Sequence, residues 1–577
     1  LERVEVLKGP QGTLYGRNAV GGAINYISQG PSTEFGGKLK VQLGNYNQRK
    51  FQGQFDIPLI EDKLLLRAAL MRETRDGYFE NLLIPSDEIE AADQWIGRFT
   101  MQYMPTDSLD ITVHAGFSER EGANVSGIKQ VNIDPNGFNA GAAIIDDPRK
   151  VLNDQPAHSP SDREYLDATV KWDLGALQLT SITAYTESSA GPLQRDIDAT
   201  EIPLIHDGQP DVRNGFFIET DAFSQEFILS SSAEDQLEWL LGAFYFQEDS
   251  FTVSGVDLSG VLGIPYSQAL INNSAEGYAA FGHATYNLSD KLRVSAGLRY
   301  SYEEKETDTS RVVGLLGKDD WSAWTPKISV DYSINDDVML YFTASRGFKS
   351  GALTRVGAQY NSLEPEVLDA YEVGAKTTLL DGRIRLNASA FNYDFTDMQV
   401  FSVDLQDPNR GVLRNAGEAE MQGVDVELSA LPFESLQLDI GLSWLDAEFV
   451  DFAIVGGNHK GNKLPNAPEF TANIGAKYTY ELSGIGSLVA QANYYYSDEQ
   501  FFSELNDVGR SDSYDVLNVR ASLESANNTW KVSVFGKNVT DELVRDFSFV
   551  SPFLFGEGYV VSYQPPRTYG LELTYQF

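Results

Sequence analysis

Residues 292–302 read LRVSAGLRYSY, and this stretch carries the pattern that decides the fold. Its even-numbered positions hold Leu, Val, Ala, Leu, Tyr and Tyr, whereas its odd-numbered positions hold Arg, Ser, Gly, Arg and Ser. The same alternation recurs at 109–117 and 436–444, and it closes the chain at 569–577. A period of two residues indicates β-strands with one apolar and one polar face.

The connectors between these strands fall into two classes that alternate along the chain. Short turns rich in Asn, Asp, Gly or Pro occupy 59–63, 105–108, 287–291, 333–337, 380–383 and 525–528. Longer polar stretches occupy 120–162, 189–216, 250–277, 348–369, 397–419, 450–467 and 540–565. In an up-and-down meander this alternation places the short turns on one side and the long loops on the other.

We predict 22 strands, each of roughly 10 to 14 residues and therefore long enough to cross a bilayer obliquely. They begin near residues 36, 49, 63, 95, 108, 163, 176, 217, 235, 278, 291, 321, 336, 370, 382, 420, 435, 468, 486, 513, 528 and 566. An even strand number, apolar outer faces and closure of the exposed edges are typical of an outer-membrane barrel. Soluble propellers and tandem sandwiches are the alternative, but no repeat of about 40 to 50 residues is present. The predicted fold is therefore all-β, a 22-stranded antiparallel transmembrane β-barrel.

The composition narrows the classes of function. The chain has 577 residues and a formal net charge of −39, which disfavours nucleic acid and anionic membrane surfaces as partners. With no Cys, disulfides, thiolate nucleophiles and Cys-based metal sites are excluded. No run of 18 consecutive apolar residues is present, so the sequence predicts no transmembrane helix. The His residues at 114, 158, 206, 283 and 459 are scattered outside any catalytic motif, so we expect no enzyme.

Residues 1–30 follow a different pattern and read LERVEVLKGPQGTLYGRNAVGGAINYISQG. Glycines at 9, 12, 16, 21, 22 and 30 separate short apolar segments. A phosphate-binding loop is disfavoured, because neither a Gly-Lys-Ser/Thr closure nor an amphipathic helix follows. A compact glycine-rich turn assembly ahead of the first strand is the better interpretation.

The segments ERVEVLKGP at 2–10 and LYGRNAVGGAIN at 14–25 resemble the last part of the plug domain of TonB-dependent outer-membrane receptors. Similar to the barrel of that family are SRGFKSG at 345–351, LEPE at 363–366, YEVG at 371–374, GKNVTD at 536–541 and PRTYG at 566–570. The terminal Phe577 resembles the family's assembly signal. The resemblance extends over essentially the whole chain.

This resemblance implies that residues 1–35 are the C-terminal part of a plug domain and residues 36–577 the barrel, with long extracellular loops and short periplasmic turns. Because family members carry a signal peptide, a TonB-contacting segment and a much longer plug, we expect the chain to be a fragment without them. The implied protein is a monomer surrounded by lipid in the outer membrane of a Gram-negative bacterium. It takes up a ferric siderophore or a similar bulky solute with energy supplied through TonB. Import of cobalamin, an oligosaccharide or an aromatic compound stays open, and a passive porin is disfavoured because it needs no plug.

A 22-stranded barrel is too wide for side chains alone to fill, so its plug must contact the inner wall. The predicted plug–barrel contacts are Glu2, Arg3, Glu5 and Arg17. Aromatic and cationic side chains in two outer loops suit a planar or anionic ligand, and the predicted ligand contacts are Arg346, Phe348, Lys349, Arg355, Tyr360, Phe401, Arg410 and Arg414. Three acidic pairs lack the spacing of a calcium loop, so we interpret them as surface charge and predict no metal site and no cofactor. These pairs are Asp146 with Asp147, Asp196 with Asp198, and Asp319 with Asp320.

Overall fold

A closed barrel of 22 antiparallel strands accounts for most of the chain in its computed structural model, which confirms the predicted fold class. The first strand, Gly36–Gly44, closes the ring against the last strand, Thr568–Gln576. The structure describes residues 2–86, 88–122, 128–135, 140–193, 195–196, 199–201, 206–207, 216–231, 236–258, 264–309, 314–356, 359–403, 411–454, 457–506, 509–550 and 558–577.

One strand of the barrel is interrupted. Its two parts, Leu316–Trp324 and Lys327–Asn335, both pair with Leu292–Asp308. The break falls at Thr325-Pro326, where proline has no N–H to donate to the ladder. In chain order the other strands are Gly36–Gly44, Arg49–Ile60, Leu64–Arg75, Ala92–Thr106, Leu109–Glu121, Ser161–Asp173, Leu177–Leu193, Phe216–Ser231, Leu237–Leu258, Ile264–Ser289, Leu292–Asp308, Val338–Lys349, Glu366–Leu379, Ile384–Val403, Gly411–Phe433, Leu436–Ile454, Phe470–Leu482, Gly486–Ser497, Tyr514–Ser525, Trp530–Lys537 and Thr568–Gln576.

Smaller elements lie inside the barrel or in its outer loops. The segment before the barrel contains the strands Arg3–Lys8 and Gly22–Ile27 and the helix Gly12–Tyr15. The short strands of the loops are Glu80–Asn81, Lys129–Asn132, Lys150–Val151, Arg195–Asp196, His206–Asp207, Ala352–Val356, Gln359–Leu363, Gly457–Asn458, Gln500–Phe501, Arg510–Ser511, Arg545–Val550 and Tyr559–Tyr563. Within the described residues, no helix has the length and apolarity needed to span a membrane.

The two faces of the wall differ in polarity. Leu298 is 47% exposed on the outer face, whereas its neighbour Arg299 is only 4% exposed and lies against the segment inside the barrel. Exposed apolar side chains on the outer face suit contact with lipid, and polar side chains on the inner face suit a water-filled lumen. This sidedness is the physical meaning of the alternation in the sequence.

Several strands extend further than the pattern predicts. The strand Ile264–Ser289 has 26 residues and begins at 264 rather than near 278. The strand Gly411–Phe433 has 23 residues and begins at 411 rather than near 420. The sequences of these outer parts, 264–277 and 411–419, do not alternate regularly between apolar and polar residues, but backbone hydrogen bonds pair the strands whatever their side chains. Much of the predicted loops 250–277 and 397–419 is therefore paired strand.

The two larger apolar clusters among the described residues include side chains of outer loops. One joins three different connectors through buried side chains of Phe79, Ile89, Val151, Val561 and Tyr563. The other is centred on Phe449 and Phe452, whose rings stack with centroids 4.4 Å apart. The loops that contribute to these clusters are therefore packed structures with their own cores.

Candidate functional site

Residues 2–30 form a hairpin inside the barrel. The strands Arg3–Lys8 and Gly22–Ile27 pair in antiparallel fashion, and the helix Gly12–Tyr15 lies between them. The helix ends at Gly16, where φ is 79°, a conformation that glycine adopts at little cost. A Cβ at this position would lie 2.8 Å from Arg299 Nη2 on the wall, so glycine also permits close approach. We call residues 2–30 the plug segment.

Arg17 makes a charged contact between the plug segment and the wall. Its Nη1 donates to Glu303 Oε1 at 2.5 Å, and its Nη2 lies 3.7 Å from Glu248 Oε2. The guanidinium also lies over the ring of Phe246, 3.8 Å from its centroid. Glu303 is 4% exposed, so this carboxylate is compensated mainly by the plug segment and by Lys305, which lies 3.3 Å away.

Lys8 makes a second charged contact on another part of the wall. Its Nζ lies 3.0 Å from both Asp425 Oδ2 and Glu427 Oε1. Burial lowers the pKa of Lys8, but the hydrogen bonds to Asp425 and Glu427 outweigh that effect and raise the pKa above its ordinary value. Lys8 therefore stays charged and ties the hairpin to the strand Gly411–Phe433.

Neutral hydrogen bonds complete the attachment. Thr13 Oγ1 donates to the carbonyl of Thr325 at 2.8 Å. The Asn18 N–H donates to the carbonyl of Phe348 at 3.0 Å, and the Ser350 N–H donates to Asn18 Oδ1 at 3.2 Å. The helix of the plug segment thus contacts the wall at the interruption before Pro326.

Glu2, Arg3 and Glu5 pair with one another rather than with the wall. Arg3 donates to Glu2 at 2.9 Å and to Glu5 at 2.6 Å, and these side chains are largely exposed. Side chains two residues apart share one face of a strand, so Arg3 and Glu5 meet without any partner from the barrel. Of the four predicted plug–barrel contacts, Arg17 is the one that the structure places on the wall.

A cavity of about 320 Å³ lies where the plug segment meets the wall. Cationic, aromatic and hydroxyl groups line it, among them Arg17, Arg299, Phe246, Trp321 and Phe348. The Arg299 guanidinium lies 5.0 Å from the ring centroid of Phe281 and is buried. A cation that lies over an aromatic ring is stabilised by that ring when no ligand is bound. The same cation can bind a planar, electron-rich group of a ligand.

The predicted ligand contacts in the first loop fall into different environments. Arg346 makes a bidentate pair with Asp369 at 2.7 and 2.6 Å, and Lys349 donates to Glu366 at 2.8 Å. Phe348 is buried and lines the cavity. Phe348 therefore lies at the cavity together with Arg17. Arg346 and Lys349 are instead paired with acidic residues of the neighbouring strand Glu366–Leu379.

The remaining predicted contacts lie on outer hairpins. Arg355 and Tyr360 are paired positions of the two-stranded sheet Ala352–Val356 and Gln359–Leu363, and Tyr360 packs on Gly317. Phe401 and Arg414 belong to the long strands Ile384–Val403 and Gly411–Phe433. Arg410 lies outside the described residues.

The acidic pairs have mainly structural environments. Asp196 is fully buried and accepts hydrogen bonds from the N–H groups of Ala199 and Asp154. Asp319 accepts from the Ser362 hydroxyl and the Asp320 N–H, and Asp198 lies outside the described residues. Within the described part of the chain, no group of three or more His, Asp or Glu side chains is arranged to hold a metal ion.

Sequence reasoning missed Lys8, Arg299 and Glu303. The alternation at 292–302 does place Arg299 on the polar face, and it extends to Glu303. The polar face alone therefore indicated inner-wall charges, but it did not indicate which of them meet the plug segment.

Comparisons with known proteins place this geometry in a family. A family model described as TonB dependent receptor-like, beta-barrel, matches residues 120–539. The pesticin receptor of Yersinia pestis is 22% identical over 607 residues, which cover 100% of this chain and 81% of the relative. The metal-pseudopaline receptor CntO of Pseudomonas aeruginosa is 24% identical over 589 residues, which cover 95% of this chain and 77% of the relative. The crystal structure of the ferric yersiniabactin uptake receptor FyuA from Yersinia pestis has a TM-score of 0.85 and 20% identity, and it covers 100% of this chain and 85% of that one. The chain therefore belongs to the TonB-dependent receptors, and its closed barrel lies in the outer membrane of a Gram-negative bacterium.

Proposed function

We propose that the protein imports a ferric siderophore or a similar bulky metal chelate, with energy supplied through TonB. One observation carries the proposal: a plug segment crosses from wall to wall inside the barrel and borders a cavity of paired cations and aromatic rings. The names of relatives support the ligand class, since they include a metal-pseudopaline receptor and a ferric yersiniabactin uptake receptor. The metal is then cargo, and the protein is a receptor and transporter rather than an enzyme.

The contacts of the plug segment suit reversible displacement. Lys8 is half-exposed, so its ion pairs contribute only about 0 to 1 kcal/mol each because water and salt screen them, whereas the pair of Arg17 with the buried Glu303 costs more to separate. A modest force on the plug segment is therefore sufficient to release such contacts one after another. Their number keeps the lumen closed in the absence of that force.

We further propose that residues 1–35 act as plug and residues 36–577 as barrel, in a monomer that couples to TonB through plug residues N-terminal to the hairpin. Ligand recognition is assigned to the loops around Arg346–Tyr360 and Phe401–Arg414, with Phe348 at the cavity. Arg346 and Lys349 are held by acidic partners, and an anionic chelate can exchange with those carboxylates.

The test is uptake of iron-55 by cells that express the receptor from its own gene and lack other siderophore receptors. We expect uptake with one ferric siderophore, and its loss when TonB is deleted. Uptake that survives deletion of TonB would indicate a passive pore and contradict the proposal.

Binding is measured separately on the purified receptor in detergent, by titration with ferric siderophores, cobalamin and oligosaccharides. The chain has 7 Trp residues, so intrinsic fluorescence gives the signal. Saturable quenching by a ferric complex supports the proposed ligand class. A response to cobalamin or a sugar alone retains the transporter and rejects the siderophore.

A further inference from the structure

Glu303, on the strand Leu292–Asp308, contacts two cations through one oxygen atom. Arg17 of the plug segment donates to Glu303 Oε1 at 2.5 Å, and Lys305 Nζ lies 3.3 Å from the same oxygen. Glu303 is 4% exposed, so water contributes little to the compensation of its charge. One of the two cations belongs to the plug segment, and the other belongs to the wall.

Lys305 is held by contacts of its own with the wall. Its Nζ donates to the carbonyl of Gly351 at 2.7 Å and lies 5.7 Å from the ring centroid of Trp321. The residue before Gly351 is held in turn by Gln399, whose Nε2 donates to the carbonyl of Ser350 at 3.0 Å. Lys305 therefore has partners that hold it beside the carboxylate when the plug segment moves away.

The charged contact of Lys8 is arranged differently. Lys8 pairs with Asp425 and Glu427. The side chain of Glu427 is 58% exposed, and Asp425 also accepts a hydrogen bond from Ser443 Oγ at 2.7 Å. Water and a neighbouring hydroxyl can thus solvate these carboxylates when Lys8 leaves. The buried Glu303 has a second cation instead.

This second cation matters more after the plug segment has moved than before. A buried carboxylate that loses its only cation is strongly destabilised. In the closed state Glu303 has two cations, and Lys305 also repels the Arg17 guanidinium that shares its partner. After Arg17 leaves, Lys305 is the cation that remains. Lys305 therefore lowers the free energy of the open state more than that of the closed state.

We propose that Lys305 is a positioning residue for transport, which keeps the Glu303 carboxylate compensated while Arg17 is withdrawn with the plug segment. The inference rests on the proposed import, in which the plug segment moves. It predicts that Lys305 promotes opening, although Lys305 forms an ion pair in the closed state. A lysine with a purely structural role would have the opposite effect, because its loss would loosen the closed state.

The test measures opening of the plug segment directly, without ligand and without TonB. The chain has no Cys, so Ala19→Cys places a thiol in the plug segment at a position that is 7% exposed. The purified receptor is treated with a water-soluble maleimide, at urea concentrations that leave the barrel folded in heat-modifiable electrophoresis. The rate of labelling then reports how readily the plug segment opens.

Two variants remove the charge of Lys305 in this background. Lys305→Met removes the charge and the donor, whereas Lys305→Gln keeps a donor for the carbonyl of Gly351. The matched control is Lys318→Met, since Lys318 forms a half-exposed pair with Glu304 on the outer face. Glu303→Gln tests whether the effect depends on the carboxylate.

We expect Lys305→Met and Lys305→Gln to slow labelling by about tenfold or more, because opening then leaves a buried carboxylate without a cation. Lys318→Met should leave the rate unchanged. Glu303→Gln should speed labelling, because Arg17 loses its charged partner. Adding Lys305→Met to Glu303→Gln should then change nothing, since no carboxylate remains to be compensated.

Unchanged or faster labelling in both Lys305 variants overturns the inference. Slowing by Lys305→Met that persists together with Glu303→Gln also overturns it, because the effect would then not pass through the carboxylate. If Lys305→Met does not fold, Lys305→Gln decides, since it keeps the hydrogen-bond donor. Absence of TonB-dependent iron uptake by the wild type rejects the proposed function, whereas the labelling rates decide the role of Lys305.

Discussion

Glu572 of the last strand lies 2.7 Å from Lys40 of the first strand, so an ion pair joins the two strands that close the barrel. Arg520, on the strand Tyr514–Ser525, donates to the same carboxylate at 2.9 Å. Glu572 is 3% exposed, so one buried carboxylate is held by two cations at the seam.

Glu572→Ala is expected to weaken this closure, because it leaves Lys40 and Arg520 without their shared partner. Removing one member of a buried pair typically costs about 3 to 5 kcal/mol. The check is the temperature at which the folded band is lost in heat-modifiable electrophoresis. Glu304→Ala is the control, since its pair with Lys318 is half-exposed. An equal shift in both variants would argue against a special role for the seam.

Arg17→Ala is expected to loosen the plug segment, because it removes the pairs with Glu303 and Glu248 and the contact with Phe246. The measurement is entry of vancomycin into expressing cells, which should rise severalfold. Arg3→Ala is a matched control, since Arg3 pairs inside the plug segment. Unchanged entry of vancomycin with Arg17→Ala would show that the other contacts are enough to hold the plug segment in place.

Trp321→Phe is expected to remove most of the fluorescence change on ligand binding while leaving the affinity nearly unchanged. Trp321 lines the cavity and is 7% exposed, so a ligand there alters its surroundings directly. Trp172→Phe, on the exposed outer face, provides the control. Full quenching in Trp321→Phe would place the ligand elsewhere.

Phe79→Ala is expected to release the outer loops that share its cluster. Truncating a buried Phe costs about 3 to 5 kcal/mol, and the neighbouring Val561 and Tyr563 lose their packing partner. Hydrogen exchange of residues 76–86 and 558–563 measures the effect. Leu83→Ala, in the same loop but 45% exposed, should change little. Comparable exchange in both variants would contradict a cooperative loop cluster.

The alternation in the sequence predicts the wall well where one face meets lipid and the other meets water. Strands begin at the predicted residues 36, 49 and 486. The pattern fails at Ile264, because residues 264–277 do not alternate regularly between apolar and polar side chains.

The site was less predictable, since its partners are distant along the chain. Lys8 meets Asp425 across 417 positions, and nothing local to either residue indicates the other. Arg17 could be singled out as a charge in a glycine-rich segment, but its partner Glu303 is one of many inner-wall carboxylates. The proposed ligand contacts in the outer loops stay predictions, because loop conformation depends on packing that no local pattern encodes.

The register of the hairpin in the plug segment determines how it yields to tension. Arg3 is paired with Ile27 at the open end of the hairpin, and Lys8 is paired with Gly22 at the closed end. The chain leaves Ile27 toward Gly30, whose carbonyl accepts from Arg67 of the wall at 2.6 Å. A pull on Glu2 against this anchor therefore loads the pair Arg3–Ile27 first and then each following pair in turn. Such a hairpin opens like a zipper, with few bonds bearing the load at any moment, whereas a pull along the strands would have strained every bond at once.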